Sequence, residues 1–284
     1  MTRQFETSEI LTYATVRIEC ELHDGGRSTG TGYFFHFLRE EKQHVPAIVT
    51  NRHVVAGAAR GRFFITEAGH SGEPRSSHVE ITLENFEQLW VGHPQPDVDL
   101  TVLPIAFLHR SMKEHLRRFF YSPLGKNLLP TDEDIENLRA LEDILMVGYP
   151  NGIWDRTNNQ PILRRGVTAT HPARDYEGRP EFMIDAPCFP GSSGSPVFLY
   201  SQGNVFERGK GLVAGRWKLR LLGTLYAGPQ YSATGEIVIM KVPASPRPVA
   251  VSSHPINLGL VLKSSLLLDF EPVLKAINAS LPAA

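Results

Sequence analysis

With 284 residues, the chain is long enough for one large or two small domains with cores of their own. Apolar residues make up 42% and charged residues 21%, and the formal net charge is −1, which leaves no basic surface for nucleic acid. No run approaches the ~18 apolar residues of a membrane helix, so a membrane partner is set aside as well.

The N-terminal segment MTRQFETSEILTY lacks an apolar core followed by a small-residue cleavage site, so no secretory signal is read and a cytoplasmic location is expected. The two cysteines, Cys20 and Cys188, lie far apart and are expected to be free thiols in such a compartment. Short apolar–polar alternations punctuated by turn residues then dominate, the pattern of an all-β fold. Strands are predicted over 13–22, 32–38, 47–49, 62–66, 79–83 and 100–105. A second set covers 144–149, 160–170, 182–185, 195–200, 221–226 and 237–241. Two sets of six fit two antiparallel β-barrels, whose closure removes exposed strand edges. Between the sets, 107–120 reads as a helix, and 131–145 begins helically behind a Thr131 cap and a run of acidic residues. Near the C-terminus, Ser264 and Ser265 precede a helix over 266–280. The expected organisation is an N-terminal barrel over 1–106, a helical insertion over 107–142, a second barrel over 143–263 and a C-terminal helix over 264–284.

Three short segments carry the chemistry. FPGSSGSPVF, residues 189–198, is a glycine-rich turn that presents Ser193 and runs on into an apolar strand. Its spacing allows the backbone N–H groups of Gly191 and Ser193 to point into one small cavity. A single donor of that kind is typically worth about 2.7–4 kcal/mol to an oxyanionic transition state. Clusters of Gly, Ser and Pro are ordinarily no more than loops, so the reading requires a base and an orienting acid elsewhere. Of eleven histidines, only His53 combines the end of an apolar strand (45–49) with apolar residues on both sides, in TNRHVV. Asp99 opens the alternating strand DLTVLPI, where an unpaired carboxylate is costly to bury and an imidazole N–H is a natural partner. Asp97, two residues earlier in a proline-rich approach, reads as a turn residue.

Together with TGTGYFF (29–35), VGYPNG (147–152), DAPCFPGSSGSPVF (185–198) and GTLYAG (223–228), these segments resemble the trypsin-like, chymotrypsin-fold serine peptidases. The resemblance is to bacterial members similar to the HtrA protease domain, but without room for a PDZ-type domain. It implies Ser193 as nucleophile, His53 as general base and then acid, Asp99 as the group that holds the His53 tautomer, and Gly191 and Ser193 as the oxyanion hole. It also implies a specificity pocket walled by Pro187, Cys188, Phe189, Pro190, Tyr226, Ala227 and Gly228, and by Gly259, Leu260 and Val261. No acid occupies the place, near Pro187, where trypsin-type members hold a basic side chain, although Asp185 is nearby, so a small or apolar residue is expected on the acyl side of the cleaved bond. Cys188 itself reads as a small buried hydrophobe. Ser192 occupies the position where zymogen-type members carry an Asp, so activity without N-terminal cleavage is expected. No metal and no organic cofactor is called for.

An α/β-hydrolase elbow does not fit, because G-x-S-x-G would need Gly at Ser195 and a helix after it. The function expected is hydrolysis of protein or peptide substrates by a serine endopeptidase. The alternative is a catalytically silent or latent trypsin-like scaffold that binds a protein partner. The helical insertion reads by default as a solvated connector, with a lid or a surface for such a regulatory partner as the alternatives.

Overall fold

The run YFFHF at residues 33–37 breaks the alternation of a half-buried strand, and the fold explains why. Tyr33, Phe35 and Phe37 face one apolar core while Phe34 faces another, and all four are almost fully buried. A strand covered on both faces has no polar side to display. This computed structural model describes residues 5–40, 43–207, 210–215, 217–228, 230–233, 252–255 and 257–280.

The first half contains β1 (Thr15–Leu22), β2 (Arg27–Glu40), β3 (Gln43–Thr50), β4 (Ala58–Ala68), β5 (Pro74–Glu84), β6 (Val91–Gly92), β7 (Thr101–Pro104) and β8 (Leu124–Gly125). They form one eight-stranded sheet in the order β5-β4-β1-β2-β3-β7-β6, with β8 alongside β2. Val16, Ile18, Phe34, Ile48, Phe63 and Ile65 share its core. The second half contains β9 (Asp143–Gly148), β10 (Ile162–Thr168), β11 (Glu181–Asp185), β12 (Pro196–Ser201), β13 (Asn204–Glu207), β14 (Gly211–Ala214), β15 (Lys218–Ala227), β16 (Gln230–Ala233), β17 (Ser252–Pro255) and β18 (Leu258–Lys263). Six of these close into a barrel, β10-β11-β18-β15-β12-β9, while β13–β14 and β16–β17 are separate two-stranded ribbons. The architecture is the chymotrypsin-like double barrel with a C-terminal helix.

The core that Tyr33, Phe35 and Phe37 face lies between the two sheets. It takes Tyr33 and Val49 from the first, Val147, Phe198 and Leu262 from the second, and Phe270 and Leu274 from the C-terminal helix. Each side chain of this size contributes roughly 1.5–3 kcal/mol when fully buried, so the barrels are held as one body. The Tyr33 hydroxyl is satisfied there: Tyr33 Oη and Thr224 Oγ1 are 2.8 Å apart.

Four expectations are revised. The sixth strand of the second barrel is β18, paired with β11 and β15; the strand expected at 237–241 lies outside the described residues. The helix expected over 107–120 is α3, and it stops at Glu114 after spanning Ala106–Glu114 (short helices α1, Thr7–Leu11, and α2, Arg52–Val55, precede it). Leu116 turns left-handed at φ 55°, and 118–120 then runs beside β4, through Ala68 N–H to Arg118 O and Phe120 N–H to Thr66 O, each 2.8 Å. Thr131 does cap a helix, α4 (Asp132–Asn137), its hydroxyl accepting from Asp134 N–H at 3.1 Å. That helix ends early, with Asp134 drawn to Arg220 at 2.5 Å and Lys218 at 3.1 Å, which hold its carboxyl down at about 2 despite burial. The C-terminal helix begins as a tighter 3₁₀ turn, Ser264–Asp269, before α5 (Phe270–Ser280).

Candidate active site

Strand β3 ends at Thr50, and the chain turns at once into α2, a single helical turn whose second residue is His53. Val54 fixes this turn against the first sheet: a methyl group on Gly30 would come within 2.4 Å of Val54 Cγ1, so only glycine lets β2 approach so closely. Asn51, fully buried, donates from Nδ2 to the Asp99 carbonyl at 2.8 Å and ties the entry of α2 to the segment before β7. Asp99 then engages His53 twice. Its Oδ1 accepts the His53 backbone N–H at 3.0 Å, and its Oδ2 lies 2.5 Å from His53 Nδ1. The His53 ring is half exposed, whereas the Asp99 side chain is one-fifth exposed. Imidazole and carboxylate are therefore in direct contact, with the outer ring nitrogen, Nε2, left over.

The turn that presents Ser193 is held by Thr31 of β2. Thr31 N–H donates to Ser193 O at 2.8 Å, and its hydroxyl donates to Gly191 O at 2.9 Å while accepting from Tyr149 N–H at 3.0 Å. Thr31 O in turn accepts the Thr50 hydroxyl at 2.7 Å. Thr50 stands three residues before His53, so a short chain of hydrogen bonds runs from the serine turn to the start of α2. On the other side, Gly194 N–H donates to Leu225 O at 2.8 Å.

Hydrogen bonds account for almost every backbone group of this turn. Pro190 O accepts from Asn151 N–H at 2.5 Å and Ser192 O from Ser195 N–H at 3.0 Å, while Ser192 N–H donates to Phe189 O at 2.9 Å. With the carbonyls of 190, 191, 192 and 193 all accepting and the N–H groups of 192, 194 and 195 all donating, two donors remain. Among the described residues, neither Gly191 N–H nor Ser193 N–H has an acceptor. A trans peptide points its N–H opposite to its carbonyl. The Asn151–Pro190 bond therefore aims Gly191 N–H away from Asn151, and the Ser195–Ser192 bond aims Ser193 N–H away from Ser195. Gly191, at φ +84°, adopts a backbone that other residues rarely reach.

The expected pocket residues gather at one end of the second barrel. Cys188 packs against two glycines: a Cβ on Gly259 would come 2.6 Å from Cys188 Sγ, and one on Gly228 would come 3.8 Å from Cys188 Cβ. Burial raises the Cys188 thiol to about 11 and the Cys20 thiol to about 12, and both are free, so neither competes as a nucleophile at neutral pH. Pro187, Phe189, Pro190 and Gly228 are exposed, and Ala227 pairs with Leu260 across β15–β18. Tyr226 lies close enough to Asp99 to feel its charge, and its hydroxyl donates to Glu181 Oε2 at 2.5 Å. Burial, and then the Glu181 contact, raise its phenol well above the ordinary range.

Sequence reasoning missed Thr31 and Asn151 as functional positions, although both stand in its quoted motifs. Thr31→Val should lower stability by about 1–3 kcal/mol, because it strands the Gly191 carbonyl and the Tyr149 N–H in a buried site. Equilibrium urea unfolding would check this; a loss under about 0.5 kcal/mol, the level of an unremarkable surface change, would mean that Thr31 does not fasten the turn.

A double barrel with a His–Asp contact beside a glycine-rich serine turn defines the trypsin-like class of peptidase fold. A model of the trypsin-like peptidase domain matches residues 30–206, more than half of the sequence, and the chain belongs to that family. None of the curated proteins matches it. Among solved structures, the HtrA-type protease AlgW with a tripeptide is similar at 19% identity and a TM-score of 0.47, over 94% of this chain and 60% of that one. A serine endoprotease from Yersinia pestis is similar at 16% identity and a TM-score of 0.46, over 95% of this chain and 64% of the other. The Rv3671c protease from M. tuberculosis in its active form is similar at 15% identity and a TM-score of 0.44, over 100% and 95%. The chain thus spans under two thirds of the length of the first two.

Proposed function

We propose that the protein is a serine endopeptidase that cleaves protein or peptide substrates through an acyl-enzyme on Ser193. His53 Nε2 takes the proton from Ser193 Oγ as the oxygen attacks the scissile carbonyl, and then gives it to the leaving amine; water repeats the sequence to release the acyl group. Asp99 keeps the other imidazole proton on Nδ1 and stabilises the imidazolium. Gly191 N–H and Ser193 N–H receive the oxyanion. In this reading residues 1–106 bring His53 and Asp99, residues 143–263 bring the Ser193 turn, and the stretch 107–142 joins them and offers a surface to a regulatory partner. The free thiols at Cys20 and Cys188 suit a reducing compartment, and the cytoplasm is the proposed location.

The observation that carries the proposal is the pair of unclaimed N–H groups in a turn whose carbonyls at 190–193 and N–H groups at 192, 194 and 195 are all matched. Buried or half-buried backbone donors are normally paired, and two left open at Gly191 and Ser193 suit a charge that develops only during reaction. A fluorophosphonate probe tests it directly. Incubated with the purified chain and located by peptide mass spectrometry, it should mark Ser193, and the mark should vanish in Ser193→Ala. A folded chain that gives no adduct would return the protein to the silent-scaffold reading.

A further inference from the structure

Strand β10 carries Arg164 to the loop expected to wall the specificity pocket. Its Nη1 donates to the Pro187 carbonyl, and its guanidinium carbon lies 5.0 Å from the centre of the Phe189 ring. It is also near enough to Cys188 to interact with that thiol electrostatically, and Cys188 is the side chain packed against Gly228 and Gly259. Arg164 thus touches or neighbours three consecutive residues of the pocket loop.

What the guanidinium lacks is a counter-charge. Among the described residues, no carboxylate comes within ion-pair distance of it. The acid in the neighbourhood, Asp185, is exposed and also outside that distance. The side chain is half-buried, and loss of solvent disfavours its charged form. Of the five N–H donors of a guanidinium, one hydrogen bond, to Pro187 O, is formed among the described residues. Other arginines of this chain answer their charge: Arg220 meets Asp134, Arg139 meets Glu142 and Arg117 meets Glu67. A half-buried, uncompensated cation with free planar donors is suited to bidentate capture of a carboxylate.

We propose that Arg164 is the specificity-determining residue of this peptidase, its guanidinium receiving the carboxylate of a Glu or Asp side chain on the acyl side of the cleaved bond. The inference rests on the serine-peptidase reading above. It replaces the small or apolar preference expected from the sequence, where the lack of an acid at the Pro187 position itself was visible but the approach of Arg164 was not.

The test uses peptidyl diphenyl phosphonates that differ only in the residue placed in this pocket: Glu, its uncharged isostere Gln, Leu or Lys. They modify the nucleophile without any need for turnover, and a simple fluorophosphonate serves as a control blind to the pocket. The wild-type chain should be labelled at Ser193 by the control and modified at least about 10-fold faster by the Glu probe than by the Gln probe, as befits hydrogen bonds to a charged group. The ratio should shrink as salt is raised. In Arg164→Gln it should fall to about 1, and in Arg164→Glu the Lys probe should become the fastest. Circular dichroism of each variant verifies folding; should one not fold, the wild-type ratio and its salt dependence decide alone. Labelling by the control with Gln or Leu equal to or ahead of Glu overturns the role of Arg164 and leaves the peptidase standing. No labelling by the control overturns the peptidase reading, and this inference falls with it.

Discussion

Asp99→Asn should lower kcat by about 10⁴-fold, the loss measured for the same change in the Ser-His-Asp template, with the fold intact. The reason is visible in how both carboxylate oxygens are used. Oδ1 accepts the backbone N–H of His53 and Oδ2 meets His53 Nδ1. An asparagine has one acceptor and one donor end. The backbone N–H of His53 cannot change its role, so the amide oxygen must face it and the NH₂ must face Nδ1. That imidazole nitrogen then has to accept, the ring proton moves to Nε2, and Nε2 can no longer take a proton from Ser193. The variant would be well folded with its base in the wrong tautomer. Steady-state kcat on any peptide the wild type cleaves checks this, alongside thermal unfolding. A loss smaller than about 10²-fold, short of even the weaker general acid–base contributions, would remove Asp99 from the role assigned to it.

Much of this arrangement was legible before any coordinates. Strands declare themselves by alternation, and the ends of the apolar runs at 45–49 and 100–105 pick out His53 and Asp99, because a polar group there needs a partner. Even the aromatic run at 33–37 is informative once two cores are allowed to share a strand. What escaped reading depended on contacts between distant segments. Strand β18 was seen only as a pocket wall, since a short LGLVL run does not announce which two strands it will join. Residues 115–120 have helical composition, yet the edge of β4 draws them into an extended path. Thr31 looks like an ordinary β-former, and its role comes from residues more than a hundred positions away. Arg164 stands beside a second arginine in a strand with a solvent-facing appearance. Nothing local marks it until the 187–189 loop folds over it.

Gly194→Ala should cost on the order of 4 kcal/mol of stability, the range reserved for strain and steric defects that cannot relax, and should abolish labelling of Ser193. Two penalties coincide at this residue. Its φ of +86° is one that a side chain resists, and an added Cβ would fall 1.9 Å from Thr31 O and 2.5 Å from Thr50 Oγ1. The first obstacle is backbone, not the end of a flexible side chain, so the turn would have to lift away from β2. Lifting breaks the bonds from Thr31 to the Gly191 and Ser193 carbonyls, which fasten to β2 the turn that carries the two open N–H groups. Gly203→Ala separates the two penalties: it has nearly the same φ, +84°, but nothing within 4 Å of its added carbon. It should cost only the conformational part, roughly 1–2 kcal/mol, and leave labelling of Ser193 in place. Urea unfolding of the pair measures the difference. If both alanines cost the same, the contact with Thr31 is not what holds the serine turn, and the orientation of its N–H groups would have to be set by the loop alone.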